Sequence, residues 1–247
     1  MPETPKIKSL GDAAFSIEFG DAIDPAINAR VMALFAALEA AKTEGALPGV
    51  TETVPSFRAL AVHYDPLRTS RDTIEAAIAP YVAAAEAEAR VGSTWVLPAC
   101  YEGETFAPDL ADVASRAGIT PDEVVALHTQ ADFRVYILGF VPGFAYLGGV
   151  PEAIRLPRRT DPRTAVPAGS VAIAGEMSGV YPLTSPGGWH LIGRCPVPMF
   201  DPRQDPPVFL KPGDRVRFKA IDAAECAAIE ASVAAGNYDV STLRVED

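Results

Sequence analysis

Apolar and polar side chains alternate along short segments near the start of the chain. AAFSIEFG (Ala13–Gly20) shows the alternation that is typical of a half-buried strand. Asp24–Pro25 can then cap and start a helix, and one apolar stripe continues to about Gly45. The residues of this stripe recur at the spacing of a single helix face: Ile27, Val31, Leu34, Phe35 and Leu38.

The next segments predict two strands, a helix and a further strand. VTETVPSF (Val50–Phe57) and ALAVHYDP (Ala59–Pro66) are expected to be strands around a tight turn, and Ser70 can cap the helix that follows. WVLPACY (Trp95–Tyr101) is the further strand. The order strand–helix–strand–strand–helix–strand is the split βαβ, ferredoxin-like pattern. We therefore predict an α+β domain over residues 1–92.

The second part of the chain has a different pattern. Thr120–Glu123 is a capping box that opens a helix, and FRVYILGF (Phe133–Phe140) predicts a strand. Helical periodicity is then absent until about Ala223, and Gly, Pro and short β-branched runs dominate. Many short strands separated by turns predict a barrel or a sandwich over residues 93–247.

Composition excludes several classes of protein. The chain has 247 residues, is 49% hydrophobic and can therefore bury a sizeable core. Its formal charge of −11 argues against a general nucleic-acid or anionic-membrane binder. Three widely spaced Cys suit a reducing compartment, and no apolar run is long enough to span a bilayer. We expect a cytoplasmic protein.

Two stretches combine Gly or Pro with side chains suited to binding. LGFVPGFAYLGG (Leu138–Gly149) is either a tight corner packed by its own aromatic rings or the wall of a ligand site. LPRRTDPRTAVPAGSVAIAG (Leu156–Gly175), with the preceding Arg155, gives a local charge of +3 from four Arg and Asp161. Its Arg side chains either form salt bridges with acidic residues or bind an anionic ligand.

The third stretch is SGVYPLTSPGGWHLIGR (Ser178–Arg194), where Gly187-Gly188 can offer backbone N–H groups to an oxyanion or phosphate. His190 is either a structural histidine or a general acid–base group. The segment imitates a phosphate-binding P-loop, but Arg194 and Cys195 replace the required Lys and hydroxyl residue. The three His are far apart in sequence, so we predict no zinc site.

These stretches resemble the KipI / allophanate hydrolase subunit 1 family, which includes the B subunit of the ATP-dependent 5-oxoprolinase. G-F-x-P-G-F-x-Y-L and S-P-G-G-W-x-L-I-G-R together make the resemblance specific, and a weaker match extends over the N-terminal part. The matching segments are PACYEGETFAPDL (Pro98–Leu110), HTQADFRVYILGFVPGFAYLGG (His128–Gly149), LPRRTDPRTAVPAGSVAIAG (Leu156–Gly175) and YPLTSPGGWHLIGR (Tyr181–Arg194).

The resemblance implies an N-terminal α+β domain, a C-terminal cyclophilin-like β-barrel and a sister chain of the KipA / allophanate hydrolase subunit 2 type. In 5-oxoprolinase a third subunit, of LamB/YcsF type, completes a complex that hydrolyses 5-oxoproline to glutamate at the expense of ATP. The chain departs from the family at Glu176-Met177-Ser178, where relatives often carry an amide-hydroxyl pair, and at Cys195, where a hydroxyl is lost.

The resemblance, together with the clustering of unusual residues, leads to a predicted site. His190 is the predicted catalytic residue, which would donate to, or exchange a proton with, the lactam. The Gly187 and Gly188 amides and Arg163 would hold phosphate or carboxylate. The other predicted substrate- or anion-binding residues are Tyr146, Ser178, Tyr181, Ser185, Trp189 and Arg194. ATP with Mg²⁺ is expected at the level of the complex, and no metal is expected in this chain.

Two other functions stay open at this point. The chain could be a carboxyltransferase-type subunit of a biotin-dependent urea or amide carboxylase. It has no A-M-K-M-type biotin acceptor, so biotin would have to arrive on another protein. The second is non-enzymatic: a KipI-like inhibitor of a sensor histidine kinase.

Overall fold

The computed structural model of the protein describes residues 4–85 and 92–245. The chain divides into two compact units, Met1–Arg90 and Val91–Asp247. The first unit contains one sheet and two helices. In chain order its elements are β1 (Lys6–Ser9), β2 (Ala14–Glu18), α1 (Pro25–Thr43), β3 (Val50–Pro55), β4 (Ala59–Tyr64) and α2 (Arg71–Ala84).

The sheet of the first unit has the strand order β1–β2–β4–β3, and every neighbouring pair is antiparallel. Helix α1 links β2 to β3, and β4 lies between these two strands. The strands and helices predicted between residues 13 and 85 are therefore present. The ferredoxin-like class of this unit stays a prediction.

The strand predicted at Trp95–Tyr101 forms as β5 (Thr94–Cys100), but it belongs to the second unit, so its predicted place in the first sheet is wrong. Trp95, Leu97 and Ala99 are buried in the core of the second unit. The position beside β2 is occupied instead by β1, which is exposed at all four residues. A short charged edge strand has no apolar alternation that would reveal it.

Helix α1 is fixed at its start and along one face. The Asp24 side chain accepts the backbone N–H groups of Ala26 (2.8 Å) and Ile27 (3.0 Å), and Pro25 occupies the first turn. The buried apolar residues of the helix are Ala29, Val31, Leu34, Leu38 and Ala41. Most of the predicted apolar stripe therefore packs into the core of this unit.

The second unit is richer in strands. In addition to β5 its elements are α3 (Gly103–Phe106), α4 (Leu110–Ala117), α5 (Pro121–Gln130), β6 (Phe133–Leu138), β7 (Ala145–Gly148), β8 (Arg163–Val166), β9 (Ser170–Ala174), β10 (Met177–Val180), β11 (Ser185–Gly187), β12 (His190–Arg194), β13 (Arg215–Ile221), α6 (Ala223–Ala234) and β14 (Arg244–Val245). None of the helices in the described ranges is long and apolar enough to cross a bilayer.

Seven strands of this unit close into a barrel. The ring order is β12–β9–β10–β7–β6–β13–β5, and a contact between Arg194 of β12 and Cys100 of β5 closes it. The pair β5–β13 is parallel, and the other pairs of the ring are antiparallel. Strands β8 and β11 form a separate two-stranded sheet. The chain is thus a mixed α/β protein with a closed barrel. A barrel is one of the two architectures predicted for residues 93–247.

A chain of polar side chains crosses the apolar core of the second unit. His128 of α5 is fully buried, its Nδ1 lies 2.8 Å from the Tyr101 hydroxyl, and its Nε2 lies 3.0 Å from Ser178 Oγ. The rings of Phe133 and Phe218 lie 5.0 and 4.5 Å from the imidazole, measured between centroids. Burial lowers the pKa of His128 to about 3, so the imidazole is neutral near pH 7.

The buried His128 predicts acid sensitivity of the second unit. The unfolded chain binds a proton at this residue near pH 6.5, whereas the folded unit stays neutral there down to about pH 3. The free energy of unfolding should therefore fall as the pH decreases through this window, by roughly 1.4 kcal/mol per pH unit. Urea titrations followed by tryptophan fluorescence isolate this unit, because both Trp residues, Trp95 and Trp189, lie in it.

The matched variant is His128→Gln, measured in the same way between pH 6.5 and 4.5. Removing the titrating imidazole should flatten the pH dependence of unfolding relative to the wild-type chain. If the free energy of unfolding fell equally steeply with pH in both proteins, the acid sensitivity could not be assigned to His128.

Candidate functional site

The carboxylate of Asp109, just before α4, collects donors from distant segments. It accepts the backbone N–H of Leu191 (2.7 Å), Nη1 and Nη2 of Arg163 (2.8 Å each) and Nη1 of Arg159 (3.0 Å). Burial raises the pKa of Asp109, but these hydrogen bonds and the two guanidinium charges outweigh it and hold the pKa below its ordinary value. The carboxylate is therefore ionised although Asp109 is buried.

The role predicted for Arg163 does not fit this geometry. Its guanidinium makes a bidentate pair with Asp109, so an incoming anion would have to displace a resident carboxylate. Arg159 shares the same partner, and Arg155 lies 3.1 Å from Glu176 Oε1. For these three arginines the alternative interpretation, salt bridges with acidic residues, describes the structure.

The β8–β11 sheet places the glycine turn next to this carboxylate. Arg163 of β8 is paired with Gly187 of β11, and Val166 is paired with Ser185. The Ser185 hydroxyl is buried and has no hydrogen-bond partner among the described residues. A buried hydroxyl without a partner is rare in a folded protein, so Ser185 is kept as a predicted ligand-binding residue.

The glycines of this turn serve close packing. The Tyr181 hydroxyl lies against Gly187, where an added Cβ would be 2.3 Å from the hydroxyl oxygen. Only glycine fits there. The carbonyl of Gly188 accepts the backbone N–H of Arg159 at 2.8 Å. The turn is thereby joined to the arginine-rich segment.

An aromatic cluster lies beside the turn, with Phe144 at its centre. The ring centroids of Tyr146, Tyr181, Trp189 and Phe140 lie 4.9, 5.3, 5.5 and 5.9 Å from that of Phe144. Phe140 has a φ of 77°, a strained conformation for a non-glycine residue, and its side chain is largely exposed. The segment Leu138–Gly149 is therefore a tight corner packed by its own aromatic rings, and it also brings Tyr146 against Trp189.

His190 is almost fully buried at the start of β12. Its Nε2 lies 2.9 Å from the carbonyl oxygen of Pro157, which can only accept, so Nε2 carries the hydrogen. In the neutral ring Nδ1 is then an acceptor. This nitrogen has no hydrogen-bond partner among the described residues and lies 3.9 Å from Asp112 Oδ2. The predicted donation to the lactam does not fit the neutral ring, because its uncommitted nitrogen accepts; the alternative, exchange of a proton with the lactam, stays a prediction.

Two predicted residues lie outside this group. Ser178 points into the barrel, where its hydroxyl contacts His128, and it is fully buried. Arg194, at the other end of β12 from His190, donates to Glu230 Oε1 of α6 (3.0 Å). In the single chain the hydroxyl of Ser178 is engaged by His128 and the guanidinium of Arg194 by Glu230, and their contact with a ligand stays a prediction.

Arg158 is a candidate that was not singled out from the sequence. It is exposed and makes no ion pair within the described residues. Burial raises the pKa of the Tyr146 and Tyr181 hydroxyls, and the Arg158 charge opposes that rise at both. The four arginines of this segment indicate an anion site. Which of them lacks an ion pair cannot be predicted locally, because Arg159 and Arg163 pair with Asp109, about 50 residues away.

Concave surfaces of the described chain include three that lie away from these residues. One of about 230 Å³ lies in the second unit and is lined by residues that include Pro198, Phe209, Val233 and Tyr238. A shallow one of about 700 Å³ lies beside Tyr101, and one of about 210 Å³ lies in the first unit. None of the ten predicted site residues lines any of the three. The residues that do converge surround the buried side chains of Asp109 and Phe144 and include the exposed Phe140 and Arg158. We call this group the surface cluster.

The comparisons with known proteins give a consistent result. The family model "Carboxyltransferase domain, subdomain C and D" matches residues 5–210. The 5-oxoprolinase B subunit of Bacillus subtilis (strain 168) is 40% identical over 230 residues, covering 87% of this chain and 92% of the relative. The 5-oxoprolinase B subunit of Escherichia coli O157:H7 is 43% identical over 173 residues, covering 70% and 78%.

Solved structures agree with the barrel architecture. The crystal structure of TTHA0988 is 40% identical with a TM-score of 0.74; the match covers 85% of this chain and 40% of that longer chain. The urea carboxylase of Kluyveromyces lactis has a TM-score of 0.76 at 21% identity, covering 95% of this chain and 23% of the enzyme, which shows a shared fold. The fold and the family match define a carboxyltransferase-type C/D module. The chain belongs to the KipI / allophanate hydrolase subunit 1 family, that of the 5-oxoprolinase B subunits.

The ion pairs of Asp109 predict that its replacement by the nearly isosteric Asn strongly destabilises the second unit. Asp109→Asn leaves two partly buried guanidinium groups without their shared carboxylate, so the free energy of unfolding should fall by about 3 kcal/mol. The measurement is the same tryptophan-detected urea titration. Asp201→Asn is the matched control: Asp201 also binds an arginine, Arg203, bidentately, but that arginine side chain is 70% exposed.

The exposed pair should contribute far less to the free energy of unfolding, because solvent screens its charges. Equal losses in the two variants would contradict a dominant role for Asp109.

Proposed function

We propose that this protein is the B subunit of an ATP-dependent 5-oxoprolinase that hydrolyses 5-oxoproline to glutamate. The observation that carries the proposal is the 40% identity to the 5-oxoprolinase B subunit of B. subtilis over 92% of that relative. The active complex also contains a KipA / allophanate hydrolase subunit 2-type chain and a third subunit of LamB/YcsF type. We place the complex in the cytoplasm and assign the barrel to the cyclophilin-like class.

The chemistry explains why ATP is needed. A lactam is a poor electrophile, and phosphorylation of its oxygen creates a leaving group and an imidate-like carbon that water can attack. The net reaction converts ATP, 5-oxoproline and two waters into ADP, phosphate and glutamate. Such a reaction requires an oriented lactam, a proton acceptor and groups that stabilise developing charge.

The chain offers the proton acceptor and the walls of such a site. His190 Nδ1 can accept the lactam N–H or a proton from water, while Pro157 holds the opposite nitrogen as a donor. Tyr146 and Trp189 provide flat contact surfaces for the ring. Because Nδ1 is covered in the single chain, we assign its exposure to assembly with the sister chain.

The residues present do not suggest where ATP-bound Mg²⁺ would be held. Among residues 4–85 and 92–245 no group of three or more His, Cys, Asp or Glu is placed to hold a metal ion. We therefore assign no magnesium ligands to this chain.

A carboxyltransferase function is the second candidate, favoured by the carboxyltransferase family model that matches residues 5–210. In that case carboxybiotin would be delivered by another protein, and an amide or urea-like substrate would occupy the same surface cluster. This function requires bicarbonate and a biotin-carrying protein, whereas 5-oxoprolinase requires neither.

The direct test is reconstitution. This chain, co-expressed and purified with its sister chains, should release glutamate from 5-oxoproline only when ATP is present. The same preparation without this chain is the control. Absence of ATP-dependent glutamate release from a stably assembled complex would refute the proposal, and biotin-dependent carboxylation instead would support the second candidate.

The role of His190 is tested in that complex. His190→Ala should lower kcat roughly a hundredfold or more if the ring transfers a proton. His63→Ala, a change of a histidine in the first unit, is the control and should leave kcat unchanged. Co-purification shows whether the variants still assemble, and unchanged turnover by assembled His190→Ala would end the proposed role.

A further inference from the structure

The arginine-rich segment contains one cation whose charge is not compensated by an ion pair. Arg155 pairs with Glu176, and Arg159 and Arg163 share Asp109. Arg158 is exposed and forms no ion pair within the described residues. The nearby Asp161 does not form one with it either.

The backbone on both sides of Arg158 is held in place. The preceding carbonyl, of Pro157, accepts a hydrogen bond from His190 Nε2 (2.9 Å). The following N–H, of Arg159, donates to the carbonyl of Gly188 (2.8 Å). Because the backbone is already fixed, binding of a ligand by Arg158 has to order only the side chain, which reduces the entropy lost on binding.

The surroundings of Arg158 are suited to an anion attached to a small ring. Its charge acts on the hydroxyls of Tyr146 and Tyr181, and both rings pack on Phe144. The Tyr181 hydroxyl also lies against Gly187, which limits its movement. A planar guanidinium beside aromatic walls can bind a carboxylate bidentately while the walls contact the rest of the ligand.

We propose that Arg158 binds the carboxylate of the substrate, in a subsite for small carboxylate anions beside Tyr146 and Tyr181. The identity of the ligand rests on the proposed function, because 5-oxoproline carries a single carboxylate on its lactam ring. Arg163, the arginine predicted from sequence to bind the anion, is paired with Asp109 instead and helps to attach the arginine-rich segment.

The test compares three variants of the assembled complex. Arg158→Gln removes the charge, and Arg158→Lys keeps the charge but loses the planar fork. Arg215→Gln is the matched control, because Arg215 is an exposed arginine of β13 that makes no ion pair within the described residues. Arg158→Gln should raise KM for 5-oxoproline at least about tenfold and change kcat less than about threefold. Arg158→Lys should be intermediate, and Arg215→Gln should match the wild type.

Calorimetric titration separates this inference from the proposed function. The probes are 5-oxoproline and its carboxamide, which lacks the negative charge. Arg158→Gln should weaken binding of 5-oxoproline at least about tenfold and leave binding of the carboxamide unchanged.

The outcomes are distinct. Arg158-dependent binding without turnover would support the subsite and refute the 5-oxoprolinase assignment. Normal turnover and binding by Arg158→Gln would overturn the subsite and leave the assignment intact. A wild-type complex that binds neither probe would overturn the subsite as well.

Discussion

The buried carboxylate of Asp109 is the interaction on which the arrangement of the candidate site depends. It joins the start of α4 to the arginine-rich segment and strand β12, whose donors lie 50 to 82 residues after Asp109 along the chain. Four hydrogen bonds compensate the desolvation of its charge, and two guanidinium groups supply three of them. Without this carboxylate, the side chains of Arg159 and Arg163 would lose the partner that they share.

The same unit contains polar groups with different roles. Tyr101, His128 and Ser178 satisfy one another inside the apolar core, as buried hydrogen-bonding groups generally must. In the surface cluster, by contrast, Ser185 Oγ and His190 Nδ1 are buried without partners among the described residues. Satisfied networks stabilise a fold, whereas buried groups without partners require an explanation such as a bound ligand or water.

Most elements could be predicted from local periodicity, and the errors have physical causes. The apolar stripe of α1 and the Thr120–Glu123 capping box are local features, and both are present. The assignment of β5 to a sheet failed because its partners, β12, β13 and β14, lie about 90 to 150 residues later in the chain. A strand pattern reports that a strand exists, but not which strand pairs with it.

The candidate site was predictable only in outline. The glycine and aromatic stretches do come together, yet the functions of single residues depend on contacts that no local pattern encodes. Ser178 lies among small residues and resembles a binding hydroxyl, but strand alternation places it opposite Leu147 of β7, inside the barrel. The choice between Arg158 and Arg163 likewise depends on which of them reaches Asp109.

The parallel pair β5–β13 has a consequence for biosynthesis. It joins Thr94–Cys100 to Arg215–Ile221, so the barrel cannot close until residues 215–221 have left the ribosome. The first unit ends near residue 90 and has its complete sheet long before then. During translation β5 therefore presents an unpaired apolar edge, the kind of segment that nascent-chain chaperones protect.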